Sequence, residues 1–386
     1  MIYKQGRLFK VLKKEAIAYI LGAKYLLHDP TYREIRIHCP NYQEPDPSEE
    51  ELVNRIFISF KKMKETQVFD KPTYKPSPLW QNHLDQDFKL FKEALTENNV
   101  HKFHYFLSNF GTWKTNHGVE NVEIIRRNNS FLRKKYLKNK YFKKSIDFWK
   151  LYTGNSKPLS HLTYPRFGNQ SGAFLNNTTF IGLDSCVSEI NGSLLSNLLK
   201  NKSNPIIANL GAGYGRLDYF ILRNLQNSTF IDFDLPEVLC LATYYLMKTF
   251  PKKKALLFGE GEFEPKNQIQ KFDLIFMPPS EIEKLPQNYI DLFINTFSLG
   301  EMKKNTAENY LKHITKSAKL FFHINQHTVP NIFSDGSEGL LAYEYKIPSE
   351  KFKLLSCAPH IGDIFDEIKI EKNNMFCFSH LYEKIL

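Results

Sequence analysis

Apolar positions follow two regimes along the chain. From residue 1 to about 150 they recur three and four apart, the spacing of amphipathic helices. Residues 8–27 carry that spacing with lysines between the apolar positions. Ser48 stands three places before Glu51, the form of a capped helix start, and Leu52, Ile56, Phe57 and Phe60 supply the apolar face that follows. The run KPTYKPSP at 71–78 is a proline-rich break. Residues 80–95 and 101–110 then read as a helix pair. Residues 122–150 hold ten Lys and Arg interleaved with Phe131, Tyr136, Tyr141, Phe142, Phe148 and Trp149. That mixture reads in two ways: a charged, stacking grip on single-stranded nucleic acid, or a helix whose aromatics pack inward.

Beyond residue 160 the pattern changes. A polar, turn-rich stretch at 161–172 precedes a hairpin-like alternation at 174–184, and 188–199 reads as a helix. Short apolar runs at 206–210, 228–236, 255–258, 272–277, 289–295 and 320–324 then alternate with helical stretches, among them 236–250 and 305–319. Such alternation predicts an α/β fold whose parallel sheet is covered on both faces. The expected organisation is a helical N-terminal region (1–155), a connecting or lid segment (156–200) and a cofactor domain (201–386). Ligands bind beyond the carboxyl ends of strands in such sheets. The loops to watch therefore start at Gly211, Asp234, Pro278, Thr296 and Asn325.

The stretch PIIANLGAGYGRLDYFIL at 205–222 is strand, glycine turn, then helix. Glycines at 211, 213 and 215 give the backbone conformations other residues avoid and let a ligand lie against the main chain. A second strand ends in Asp234, about 20 residues on, where an acceptor for ribose hydroxyls is needed. A dinucleotide fingerprint requires G-x-G-x-x-G; here the spacing is G-x-G-x-G.

That spacing resembles motif I of the class I S-adenosylmethionine-dependent methyltransferases, which have Glu or Asp two places before the first glycine. This chain has Asn209, which accepts a hydrogen bond but supplies no charge for the methionine ammonium. The segment FDLIFMPPS at 272–280 resembles the D/N-P-P-Y/F motif of amino-group methyltransferases, yet Met277 and Ser280 stand where the functional residues belong. The set GAGYGRL, DLP, LPxxxIDLFIN and SLGEM resembles more closely the sugar O-methyltransferases of bacterial surface-polysaccharide gene sets, and Gly168-Asn169 matches a pair preceding the domain there. The resemblance spans about residues 160–330. It implies a Rossmann-like class I methyltransferase sheet with a mainly helical N-terminal region, and S-adenosylmethionine as cofactor. The cofactor residues it implies are Asn209, Gly211, Ala212, Gly213, Gly215, Asp234, Leu235 and Asn295, with Ser280, Glu281 and Ile282 flanking the adenine. For the acceptor it implies Gly168, Asn169, Tyr214 and Asn325.

A sugar hydroxyl is a poor nucleophile and needs a base or a metal to help remove its proton. Candidates at strand ends are His327, Glu301 and His323. No metal-ligand spacing is present, and a Mg²⁺ requirement stays open. The net charge of +11 fits an anionic partner such as nucleic acid or a membrane leaflet, and equally a Lys-rich composition without a function. Five scattered cysteines and the lack of a long apolar run or signal-peptide form point to a cytoplasmic protein without a zinc site. The reading is a sugar O-methyltransferase acting on a glycan or its precursor, with nucleic acid not expected as partner. A nucleic-acid methyltransferase and a non-catalytic module keeping the fold remain the alternatives.

Overall fold

The computed structural model describes residues 35–112, 131–182, 184–269, 271–364 and 376–385, with backbone alone at 131–141, 268 and 364. The expected helix at 8–27 and the first part of the basic, aromatic stretch lie outside these residues. A short strand β1 (Ile35–His38) joins the hairpin β2 (Gly172–Leu175) and β3 (Thr179–Ile181) in a small antiparallel sheet. Between β1 and β2 the described elements are helical: α1 (Glu50–Gln67), α2 (Pro78–Gln86), α3 (Lys89–Thr96), α4 (Val100–Asn109) and α5 (Phe131–Tyr152).

Two local expectations change. Ser48 does not cap α1; a 3-10 turn at Pro47–Glu49 precedes the helix, and Asp46 is its cap, accepting from the Ser48 amide and hydroxyl. The expected 80–95 helix is two helices, because the chain breaks at Asp87 and Phe88. In α5 Phe142 and Trp149 are buried in a cluster with Leu162, Ala173 and Ile190, and half-buried Phe148 packs against it. They pack inward, as amphipathic spacing requires.

The α/β part runs α6 (Ser185–Leu199), β4 (Ile206–Leu210), α7 (Arg216–Asn224), β5 (Thr229–Phe233), α8 (Pro236–Thr249), β6 (Ala255–Leu257), β7 (Leu274–Met277), β8 (Ile290–Thr296), α9 (Lys304–Ser317), β9 (Ala318–Gln326), β10 (Phe352–Pro359) and β11 (Cys377–Lys384). Eight strands form one sheet in the order β6-β7-β5-β4-β8-β9-β11-β10. Strands β6 to β9 are parallel, whereas β11 runs antiparallel to both its neighbours, so the sheet is not wholly parallel as expected. This is a Rossmann-like α/β fold. Its central strands are short apolar runs buried on both faces, which parallel crossovers demand.

Alternate residues on each strand feed two cores. Ile207, Phe230 and Leu292 face one; Ala208, Ile231 and Phe293 face the other. The first core continues without a break into the helical region through Val53, Phe57, Phe60, Phe91 and Phe103. The second takes Tyr74 from the proline-rich stretch, and Tyr310 and Ile314 from α9. Among the described residues no helix is long and apolar enough to cross a membrane.

One polar junction fastens the helical region to α8. Glu49 accepts from Tyr244 Oη at 2.5 Å, from Lys248 Nζ, and pairs with His104 Nε2 at 3.1 Å. Burial pushes its carboxyl up, but the His104, Lys248 and Tyr244 contacts outweigh burial and bring it down to about 2. A carboxyl held below its ordinary 4.5 stabilises the fold above that pH and loses the contribution as pH falls toward 2. Glu49→Gln is therefore expected to lower the unfolding free energy by about 1–3 kcal/mol near neutral pH. In denaturant titrations the deficit should shrink as the buffer is taken down toward pH 2. A deficit that is constant with pH would show that Glu49 acts by packing alone.

Candidate active site

The glycine turn between β4 and α7 is held by three constraints. Gly211, Gly213 and Gly215 all have positive φ, at 80°, 64° and 88°. A Cβ on Gly211 would meet Ser298 Oγ at 2.4 Å and Ser298 Cβ at 2.5 Å, so the turn after β8 seats directly on it. Ser298 Oγ and Asn295 Nδ2 both donate to the Leu210 carbonyl, at 3.0 and 2.8 Å. On the other side the Gly213 amide donates to Asp234 Oδ2 at 3.2 Å, and the Leu235 amide to Asp234 Oδ1 at 2.7 Å.

Over this turn opens a cavity of about 350 Å³. Its floor is Gly211, Ala212, Gly213 and Tyr214, with Asp234 and Leu235 beside them. Pro279 and the turn Thr296–Met302 continue the wall, and α6 adds Val187, Ser188 and Asn191. The far wall comes from the proline-rich break: Tyr74, Lys75, Pro76, Ser77 and Trp80. That segment is moored to the α/β part through Tyr74, whose hydroxyl donates to Glu283 at 2.7 Å and accepts from Asn309 at 3.1 Å. Trp80 Nε1 donates to Glu301 Oε2 at 2.8 Å.

The charges lining the cavity are Asp184, Asp234, Glu301, Lys75 and Arg216. Arg216 Nη2 donates to Asp184 at 2.9 Å, so that pair balances itself. Burial raises the Asp234 carboxyl to about 7, against the pull of the Leu235 and Gly213 amides. Burial likewise raises Glu301 to about 7, opposed by the Trp80 hydrogen bond. Beneath the floor, Asn209 Nδ2 donates to Asp218 Oδ1 at 2.8 Å, and burial raises Asp218 to about 7 as well. Asp232 is raised by burial and then by the neighbouring Asp234 and Asp218.

The expected site residues divide cleanly by position. Gly211, Ala212, Gly213, Tyr214, Asp234, Leu235 and Glu301 line the cavity together. Asn209 points to Asp218 under the floor. Gly215 packs against Leu246 of α8, where a Cβ would stand 3.0 Å from Cγ. Ser280, Glu281 and Ile282 are not in the lining, which takes Pro279 just before them. Asn295 and Asn325 are buried and hydrogen-bonded to each other at 2.9 Å, and Asn325 accepts from the Gly300 amide at 3.0 Å, so both brace the turn after β8. Gly168 and Asn169 dock on the end of α4, Gly168 against the Phe110 ring and Asn169 on Asn109 and the Asn41 carbonyl.

The two histidine candidates stay outside the cavity lining. His323 is buried within β9, its ring stacked on His380 at 4.6 Å. His327 stacks on Phe378 at 4.1 Å, and its amide continues the β9–β11 pairing by donating to Phe376 O. Sequence reasoning passed over Trp80, Arg216, Phe297 and His360, all of which line the cavity. The sequence marks the turn opening at Thr296, but no pattern in it points to Trp80 or His360.

Fold and site together define a Rossmann-like α/β protein with its cavity at the carboxyl ends of the strands, over a glycine turn. No family model matches the chain, and no curated protein matches it. Solved structures similar to it include the mitomycin 7-O-methyltransferase, at 10% identity and TM-score 0.33, covering 53% of this chain and 56% of that one. An S-adenosylmethionine-dependent methyltransferase from Aquifex aeolicus is similar at 12% identity and TM-score 0.31, covering 53% and 93%. Magnesium protoporphyrin IX methyltransferase from Synechocystis PCC 6803 is similar at 11% identity and TM-score 0.35, covering 52% and 81%. Likenesses at this distance carry no argument about what the chain does.

The buried acid under the floor has a measurable consequence. Asp218 near 7 in the fold, against an ordinary 3.8, holds its proton while the unfolded chain releases it. Its contribution is fully present below about pH 4 and is lost as pH rises through about 7. Asp218→Asn keeps an acceptor for Asn209 and removes the titration. The variant should match wild type near pH 4 and exceed it by about 1–4 kcal/mol at pH 8 in chemical denaturation. A variant less stable than wild type at pH 8 would end this account of the cluster.

Proposed function

We propose that the chain is an S-adenosylmethionine-dependent O-methyltransferase acting on a sugar hydroxyl of a surface polysaccharide or its precursor. The observation that carries the reading is electrostatic. In a chain of net charge +11, the cavity over the glycine turn is flanked by two carboxylates, buried Asp234 and half-buried Glu301, while its one arginine is already paired with Asp184. A cofactor bearing a sulfonium cation suits them, since opposite charge favours the ionised carboxylates.

The residues present fit that cofactor. Gly211 to Gly213 give backbone access for its amino-acid end, Asp234 accepts from its ribose, and Leu235 with Pro279 flanks its base. When bound, it supplies an activated methyl group. Glu301 is the group on the cavity wall that takes the acceptor's hydroxyl proton, because a carboxyl raised to about 7 is a competent base near neutrality. The sugar assignment is supported by the sequence resemblance over residues 160–330, and by the hydroxyl groups that Ser77 and Thr306 add to the lining.

Two measurements test this. Asp234→Ala should weaken S-adenosylmethionine by roughly 1.5–3 kcal/mol in calorimetry, the scale of a lost hydrogen bond to a charged group. In the wild type, affinity should rise between about pH 6 and about pH 8, because a bound cation favours ionised Asp234 and Glu301. The neutral thioether product should show a smaller rise, and Glu301→Gln should flatten it. Equal pH profiles for cofactor and product would sink the electrostatic argument.

A further inference from the structure

Phe297 is the first residue after β8, and its backbone is in the left-handed region, with φ 67°. For a bulky residue that conformation is strained and persists only where the surroundings over-determine it. They do so here. The Phe297 amide donates to the Ile324 carbonyl at 2.6 Å, and the next residue, Ser298, is tied to the Leu210 carbonyl at 3.0 Å. The fold thus accepts strain and leaves the ring 36% exposed on the cavity wall. Glycine or asparagine would meet the backbone requirement at less strain. The ring itself is what the position retains.

We infer that Phe297 is the acceptor platform: its open face stacks on the apolar C–H face of a pyranose, next to the glycine turn. This rests on the methyltransferase reading above and adds the residue that selects the acceptor. Its neighbour His360 stands nearly perpendicular to it, with centroids 5.3 Å apart and planes at 81°, so the two rings do not stack. A flat nucleobase gains most between two parallel rings, and this arrangement offers no such slot. A pyranose has a C–H face for one ring and a rim of hydroxyls for hydrogen bonds. Glu301 and His360, on the same wall, supply polar partners at that rim.

The test is saturation-transfer NMR on the protein loaded with S-adenosylhomocysteine. The probes are neutral methyl glycosides of a hexose, a 6-deoxyhexose and an N-acetylhexosamine, with uridine and adenosine as the competing class. Wild type should pass saturation to ring C–H protons of at least one glycoside. Phe297→Gly should reduce that transfer about tenfold or more, the scale of losing one buried aromatic face. The variant's melting temperature should be unchanged or higher, and its product affinity unchanged. Phe297→Asn tolerates the same backbone and guards against a folding failure in the glycine variant; Phe297→Tyr should retain binding. Full glycoside transfer in the glycine or asparagine variant overturns the inference, as does wild-type transfer to the nucleosides alone or to none of the probes. Failure of S-adenosylhomocysteine to bind would instead strike at the cofactor reading, and the inference would fall with it.

Discussion

The cavity exists because a hydroxyl and an amide from one strand end lock onto the carbonyl at the end of the next. Ser298 and Asn295 both donate to Leu210 O, and the absent side chain of Gly211 makes room for Ser298 to do so. Everything above the sheet depends on this seam. It fixes the turn after β8 relative to the glycine turn, and so fixes Glu301 across from Asp234. It also forces Phe297 into its strained conformation, since both neighbours of that residue are already committed. Asn325 extends the same network one strand further by bonding Asn295 and the Gly300 amide. Three adjacent strand ends are thereby tied into one rim by side-chain hydrogen bonds.

That rim carries an electrostatic cost. Asp218, Asp232 and Asp234 sit together under and beside the glycine turn, and burial raises each of them. A fold selected for stability alone would not gather them, because a buried acid without a cation favours its neutral form. Asn209 moderates the cluster by donating to Asp218, in place of a further acid that would deepen the repulsion. The missing charge at position 209 therefore reads differently in three dimensions. The position lies below the cavity, and the carboxylates lining it include Asp234 at the end of β5 and Glu301 in the turn after β8.

The strands and most helices of the α/β part were legible because parallel strands are continuous apolar runs, and such runs stop at Gly211, Asp234 and Pro278 for visible chemical reasons. The last two strands were not. β10 is exposed at all but its first residue, so it lacks the signal that burial writes into a sequence. β11 enters the sheet by pairing antiparallel to β9, which sequence order does not announce. Within the site, the residues contributed by the glycine turn and by the ends of β5 and β8 were readable from spacing. His323 and His327 lie outside the cavity lining, which spacing could not show, because a strand end says nothing about which face a side chain takes. One ring stacks on His380 and the other on Phe378, both on β11. Trp80 was beyond reach for another reason: its partner Glu301 is 221 residues away.

That separation shows how two distant parts of the chain build one cavity. The glycine turn and Asp234 come from the α/β part, whereas the wall opposite comes from the proline-rich segment 71–80 of the helical region. Prolines at 72, 76 and 78 stiffen this segment, and Tyr74 fastens it to Glu283 and Asn309. A stiff wall brought in from a distant part of the chain can vary without disturbing the seam between β4 and β8. The helical region shares its core with one face of the sheet through Phe57, Phe60 and Phe103, so the wall cannot drift relative to the floor. The same burial that joins the two parts sets the distance between Trp80 and Glu301, and with it the shape of the cavity.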